Sequence, residues 1–281
     1  MFDSVSELPY FDLIINGIES GNPEVKKCLG QHVHWGYWDD PKCADGTIDD
    51  YASAADRMCE VLFEAGEIKD DLRVIDIGCG FGGTIDSLNK KYSNLRIAGL
   101  NIDERQLNIA QENVNPCNGN MISFVQGDAC RLPFEDNSLD VVLAVECIFH
   151  FSDKIAFFKE VSRVLRKGGK FAMSDFVPDR EKYYLIDGRR KIVKKIVKLF
   201  FGRAGIEFTV GEYREIAENA GFKSYLERDI TENTLPTYYV LKKLFRSLKR
   251  FSIIPSLTMG MIEWGQRSGH SRYAVLGYEK L

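Results

Sequence analysis

The 281-residue chain nowhere strings eighteen apolar residues together, and its opening MFDSVSELPYFDLIING puts no basic segment ahead of an apolar run. Neither a transmembrane helix nor a signal peptide is expected, and the expected compartment is the cytoplasm. A C-x-x-C pair is also missing. The seven cysteines, Cys28, Cys43, Cys59, Cys79, Cys117, Cys130 and Cys147, are odd in number and scattered, which speaks against a disulfide framework and a zinc ribbon. They are expected to be reduced, mostly buried thiols. No surplus of basic charge is present, since 37 Lys and Arg stand against 41 Asp and Glu for a formal charge of -4. A whole-protein nucleic-acid binder needs a clearly basic surface, so nucleic acid is not an expected partner. His32 and His34 form an H-x-H step, but no nearby Cys, His or acidic cluster completes it, and no metal is assigned.

What is present is an alternation. Residues 48 to 66 carry apolar side chains at helical spacing and end in Gly66, which suits a helix closed by a left-handed cap. RVIDIG follows, a short β-branched run of the kind buried on both faces of a sheet. Helix 83 to 92, strand LRIAGLNI (95 to 102), helix 104 to 115 and strand ISFVQG come next. Strand LDVVLAVE (139 to 146), helix 153 to 166 and strand RKGGKFAMSDF complete the series. Strands alternating with helices imply a doubly wound α/β sheet, because parallel crossovers need a returning helix. After Pro178 the rhythm changes: helices are expected over 181 to 200 and 211 to 220. Strand-like FKSYLERDI (222 to 230) and RYAVLGYEK (272 to 280) bracket an amphipathic, cationic insertion.

The strongest chemical signal is Asp76-Ile77-Gly78-Cys79-Gly80-Phe81-Gly82-Gly83, between the first strand and its helix. Its glycines satisfy both the dinucleotide pattern G-x-G-x-x-G and the G-x-G-x-G of another nucleoside-binding group, so the loop alone leaves the ligand open. The neighbours arbitrate. VIDIGCGFGG, GLNIDERQ, VQGDACRLPF, LDVVLAVECIFHF and VLRKGGKF together resemble a class I S-adenosylmethionine-dependent methyltransferase over about residues 70 to 178. HWGYW and the Asn-Ile of the second strand resemble its small-molecule branch, which includes tocopherol, sarcosine, natural-product and prenyl-diphosphate C-methyltransferases.

The resemblance implies a seven-stranded, mostly parallel sheet and S-adenosyl-L-methionine as cofactor. Asp76, Gly78, Cys79 and Gly80 would hold its methionine part, Asp76 through the ammonium. Asn101 stands where many relatives carry an acid for the ribose hydroxyls, and with Ile102 and Gln106 it would take that role. Asp128 and Ala129 would meet the adenine, and Tyr37, in an aromatic lid with Trp35 and Trp38, would bond the cofactor carboxylate. Glu146 and His150 follow the fourth strand. Glu146 is a cofactor contact or a stabiliser of positive charge, and His150 is a general base or a cap of the next helix.

One domain is expected. It comprises an N-terminal helical lid (1 to 66), the cofactor core (70 to 178), acceptor-binding insertions with a sixth strand (179 to 271) and a last strand (272 to 281). The acceptor is expected to be a small, lipophilic specialised metabolite or isoprenoid, with a phosphorylated, amine or sugar-containing molecule as the alternative. Arg189, Arg190, Lys194 and Lys195 would attract an anionic group or form a solvated face; Phe200, Phe201, Tyr238, Tyr239 and Met261 would enclose an apolar body. Residues 235 to 251 would also suit contact with a membrane surface. A nicotinamide oxidoreductase shares the glycine loop but not VQGDA, and a non-catalytic binder of the same cofactor would keep every motif. A nucleic-acid amino-methylating enzyme would carry N/D-P-P-Y/F where this chain has ECIF. The acceptor atom and the oligomeric state are not legible.

Overall fold

The computed structural model describes residues 8–179, 195–202, 208–247 and 253–281. Three helices come first: α1 (Pro9–Glu19), α2 (Pro23–Leu29) and α3 (Ile48–Ala65). The core then alternates β1 (Arg73–Ile77), α4 (Gly83–Lys91), β2 (Arg96–Asn101), α5 (Glu104–Asn113) and β3 (Met121–Gln126). It continues through β4 (Leu139–Val145), α6 (Lys154–Val164) and β5 (Leu165–Pro178) to α7 (Val210–Asn219) and β6 (Phe222–Asp229). Helices α8 (Thr237–Ser247) and α9 (Ile253–Arg267) precede β7 (Ser271–Lys280).

The sheet has seven strands in the order β3-β2-β1-β4-β5-β7-β6. β1 to β5 pair in parallel, whereas β7 runs antiparallel to both β5 and β6. The strand order reverses between β1 and β4, and open α/β sheets bind ligands beyond the carboxyl ends of strands at such a switch point. β4 is buried at every position, as a central strand covered on both faces must be. One face packs on α3 and α8 through Met58, Leu62, Leu143 and Leu241. The other packs on α6 and α7 through Phe157, Phe158, Phe171, Tyr213 and Tyr278.

One expectation changes here. Gly66 closes α3 in the right-handed region at φ -82, and Glu67 takes the left-handed position at φ 49. Gly66 is instead a spacing residue, since a Cβ there would meet Val141 Cγ1 at 3.2 Å. In the amphipathic insertion, Tyr238, Val240, Leu241, Leu244 and Phe245 of α8 are buried, while Tyr239 is exposed. No helix among the described residues is long and apolar enough to cross a membrane. Arg189, Arg190, Lys194 and most of the basic 181 to 200 segment lie outside the described residues.

Candidate active site

The loop after β1 turns sharply because three glycines take positive φ: Gly78 at 74, Gly80 at 53 and Gly82 at 84. An added Cβ at Gly78 would strike Cys147 at 2.7 Å, whereas at Gly80 it would meet nothing within 4 Å. Gly78 is thus needed for backbone packing, and Gly80 faces open space. That space belongs to a cavity of about 220 Å³ at the carboxyl ends of β1, β2 and β4. Eleven of the twelve site residues expected from sequence line it: Asp76, Gly78, Cys79, Gly80, Asn101, Ile102, Gln106, Asp128, Ala129, Glu146 and His150.

Asp76, near the end of β1, is 1% exposed, and neither of its carboxylate oxygens has a hydrogen-bond partner among the described residues. Burial pushes its pKa well above the usual carboxylate range. An orphaned buried acid on a cavity wall is costly unless a cation comes to it. Asn101 Nδ2 donates to Gln106 Oε1 at 3.0 Å, while Asn101 Oδ1 accepts from Asp103 N–H at 3.2 Å. These two amides therefore form one pre-set pair beside the cavity. Asp128 Oδ1 accepts from Cys130 N–H at 2.8 Å, so this aspartate shapes its own turn as well as facing the cavity.

Glu146 sits at φ 50, a left-handed value rare for a residue with a long side chain. Its Oε2 accepts from Trp35 N–H at 2.9 Å and from Tyr273 O–H at 2.5 Å. Burial raises its pKa to about 8, against the lowering effect of these two bonds. His150 lies in a single turn over Ile148–His150 and shares a hydrogen bond of 3.0 Å with Tyr10 Oη. It does not cap α6, because Asp153 does so by accepting from Ala156 N–H at 2.9 Å.

Tyr37 is the exception among the expected residues. It is 3% exposed and absent from the cavity lining. Its backbone N–H donates to Ala54 O at 2.8 Å, which fixes the segment on α3 and turns the ring towards β6. There its hydroxyl accepts from Arg228, and the Arg57 and Arg228 guanidinium groups lie 5.7 and 5.3 Å from the ring centroid. Trp35 is likewise absent from the cavity lining and packs at 5.2 Å on Phe176 and 5.7 Å on Tyr238. The cavity is covered instead by Leu8, Tyr10 and Phe11 of the α1 region and by Gln31 to His34. Of the expected acceptor aromatics, Phe200 and Phe201 pack on Tyr10 at 6.0 and 5.1 Å, but Tyr239 is 63% exposed.

Residues 31 to 34 bring a further difference. Helix α3 carries Cys59 to the H-x-H step, so that His32, His34 and Cys59 form one buried group. Burial alone would lower the His32 pKa and raise that of Cys59. The Cys59 charge and the Asp56 hydrogen bond outweigh it at His32, raised to about 10, and the histidine charges outweigh it at Cys59, lowered to about 6. Gly83, ambiguous in sequence, is explained by the same packing: a Cβ there would lie 2.4 Å from His32 Nδ1.

The buried acids set a pH dependence. Asp175 on β5 accepts from Tyr213 O–H and Phe176 N–H, yet burial holds its pKa at about 7, below Glu146 at about 8. Both folded values exceed the unfolded ones, so the folded state keeps protons that the unfolded chain releases. Their contribution is present below the unfolded carboxyl pKa and is lost as pH rises through 7 and 8. The melting temperature of the ligand-free protein is expected to fall between about pH 6 and about pH 8.5. A flat or rising profile in thermal unfolding would show that neither group is protonated in the fold.

A seven-stranded sheet with an inverted last strand, and a glycine-loop cavity with a lone acid at its base, define an S-adenosylmethionine-dependent methyltransferase. A model of the family described as "Methyltransferase domain" matches residues 75–173. Methyltransferase GfsG of Streptomyces halstedii is 31% identical over 240 residues, which are 84% of this chain and 80% of that protein. The 27-O-demethylrifamycin SV methyltransferase of Amycolatopsis mediterranei (strain S699) is 28% identical over 226 residues, 78% and 77% of the two chains. In fold, the chain is similar to geranyl diphosphate C-methyltransferase from Streptomyces coelicolor A3(2), with a TM-score of 0.71 at 18% identity, covering 97% of this chain and 98% of that one. The chain belongs to the methyltransferase family. It is an enzyme, and its cofactor is S-adenosylmethionine.

Proposed function

We propose that this methyltransferase modifies a hydroxyl of a lipophilic small molecule, with His150 as the base. The observation that carries this reading is the 3.0 Å hydrogen bond between His150 Nε2 and Tyr10 Oη on the cavity wall. A histidine titrates near neutrality, and a phenol beside it fixes its ring. When bound, S-adenosylmethionine supplies an electrophilic methyl carbon on a sulfonium. The chain's own residues then have two tasks: to hold the acceptor oxygen in line, and to receive its proton at His150. Around this pair Leu8, Phe11, Phe81 and Phe151 line the cavity, which supports an apolar acceptor body. The name of one relative above, 27-O-demethylrifamycin SV methyltransferase, is in keeping with it. Glu146, with its pKa raised to about 8, is less suited to stabilising a carbocation, which weighs against methylation of an alkene carbon.

The test incubates the protein with S-adenosylmethionine and a panel of phenols, prenyl alcohols and macrolide alcohols, and reads one added methyl by mass spectrometry. His150→Ala is expected to lower kcat by about 100-fold or more while cofactor affinity is retained. Tyr10→Phe is expected to lower kcat less and to shift the pH profile. Full activity in His150→Ala would remove the base, and products carrying the methyl only on carbon would overturn the hydroxyl acceptor.

A further inference from the structure

His34 Nδ1 lies 3.0 Å from the Trp35 carbonyl oxygen, and His32 Nε2 lies 3.0 Å from Asp56 Oδ1. A carbonyl only accepts, and so does an ionised carboxylate, so each histidine carries its proton on the outward nitrogen. The inward nitrogens, His32 Nδ1 and His34 Nε2, lie 3.0 Å apart, a contact that needs one shared proton or a metal ion between them. Cys59 Sγ lies 3.5 Å from His34 Nε2 and 3.7 Å from His32 Nδ1. All three side chains are buried. Three donor atoms, all within 4.8 Å of one another, thus converge where a shared proton or a metal ion can join them.

We propose that His32 Nδ1, His34 Nε2 and Cys59 Sγ bind a zinc ion in the wall of the cofactor cavity. The spacing fits the ion. Tetrahedral zinc, with bonds of about 2.0 Å to nitrogen and about 2.3 Å to sulfur, sets two nitrogens about 3.3 Å apart and nitrogen and sulfur about 3.6 Å apart. The observed edges of 3.0, 3.5 and 3.7 Å describe one face of such a tetrahedron. The outer contacts fit as well, because histidines that bind metal donate their second N–H to a carboxylate or a backbone carbonyl, here Asp56 and Trp35. Two imidazoles and a thiolate suit zinc better than they suit magnesium or calcium, which prefer oxygen. Binding releases to solvent the proton between His32 Nδ1 and His34 Nε2 and any proton still on Cys59, so that two neutral imidazoles and a thiolate hold the ion. The ion would tie the 31–38 segment to α3 beside Asp76, so its role is to hold the cavity wall and not to take part in methyl transfer.

The test uses the full chain, stripped with a chelator and titrated with Co²⁺ and then Zn²⁺. One equivalent of Co²⁺ is expected to give the near-ultraviolet thiolate charge-transfer band and the strong visible bands of a four-coordinate site, and Zn²⁺ is expected to bleach both. Cys59→Ser should abolish the charge-transfer band. Asp56→Asn, which keeps all three donors, should weaken metal affinity by about 10- to 100-fold. A wild-type protein that binds Co²⁺ without that band, or not at all, would overturn the proposal and leave a shared proton as the cation. Because the wild-type spectrum decides the matter, a Cys59 variant that fails to fold does not affect the outcome.

Discussion

Replacing Asp76 by asparagine is expected to weaken binding of S-adenosylmethionine and S-adenosylhomocysteine by about 100-fold while raising the melting temperature of the ligand-free protein. The two effects have one cause. Asp76 is 1% exposed, with both oxygens unpartnered, so the folded protein bears the cost of burying a carboxyl group for which it supplies no partner. Asparagine keeps the shape and removes the ionisable group, which relieves that cost. We assign the ammonium of the cofactor as the missing partner in the complex, and removing one member of a buried charge pair costs about 2–5 kcal/mol, enough for the stated loss. A third readout separates this account from simple damage to the loop. Burial raises the Asp76 pKa, so pairing with a cation must drive its proton off, and affinity should rise with pH until the free protein itself ionises. Calorimetry in buffers of different ionisation enthalpy should detect a proton released by wild type and none by Asp76→Asn. Equal affinity in the two proteins would refute the assigned ammonium contact.

The core of this site was legible because it is local. Asp76 to Gly83 lie in one turn, and Asn101 and Gln106 are five residues apart across the end of β2. In such stretches the sequence period and the glycines determine which way side chains point. The β–α alternation was readable for the same reason, and its errors fall at element ends: α5 stops at Asn113 and α6 at Val164, where Leu165 already begins β5. What escaped depends on distance along the chain. Tyr10 meets His150 across 140 residues, and α1, which brings it there, carries no motif. Cys59 reaches His34 from 25 residues away, so an H-x-H step that is incomplete in sequence gains its third donor only when α3 packs. Tyr37 failed differently. Its motif was recognised, but the Tyr37 N–H to Ala54 O bond turns the ring away from the cavity, and no residue pattern within HWGYW encodes that turn.

Glu146 offers the second large effect, and comparison of two substitutions gives it meaning. Its Oε2 joins three separate parts of the chain: the end of β4, the Trp35 backbone and Tyr273 on β7. Glu146→Ala would leave the Trp35 N–H buried without its acceptor, at about 1–3 kcal/mol, and the Tyr273 hydroxyl with only Ser174 Oγ at 3.3 Å. That variant is expected to melt well below wild type and to lose activity. Glu146→Gln keeps an oxygen for both donors and should melt near wild type at pH 6, where the native carboxyl, with its pKa at about 8, is already neutral. From pH 6 up to about 8 the two proteins should diverge, because unfolding wild type releases a proton that the fold keeps while the amide has none to release, and above about 8 the gap should stay constant. Activity then identifies the working form. If the protonated carboxyl supports catalysis, as a strut that holds Trp35 and the cavity wall, Glu146→Gln keeps most of kcat and loses the wild-type decline above pH 8. If the ionised form is needed to meet positive charge in the transition state, Glu146→Gln falls about 100-fold at every pH, the scale of one lost electrostatic contact at a reacting centre. The two hydrogen bonds accepted by Oε2 and the raised pKa favour the strut, since an acid committed to two donors and held neutral by burial has little charge left to offer.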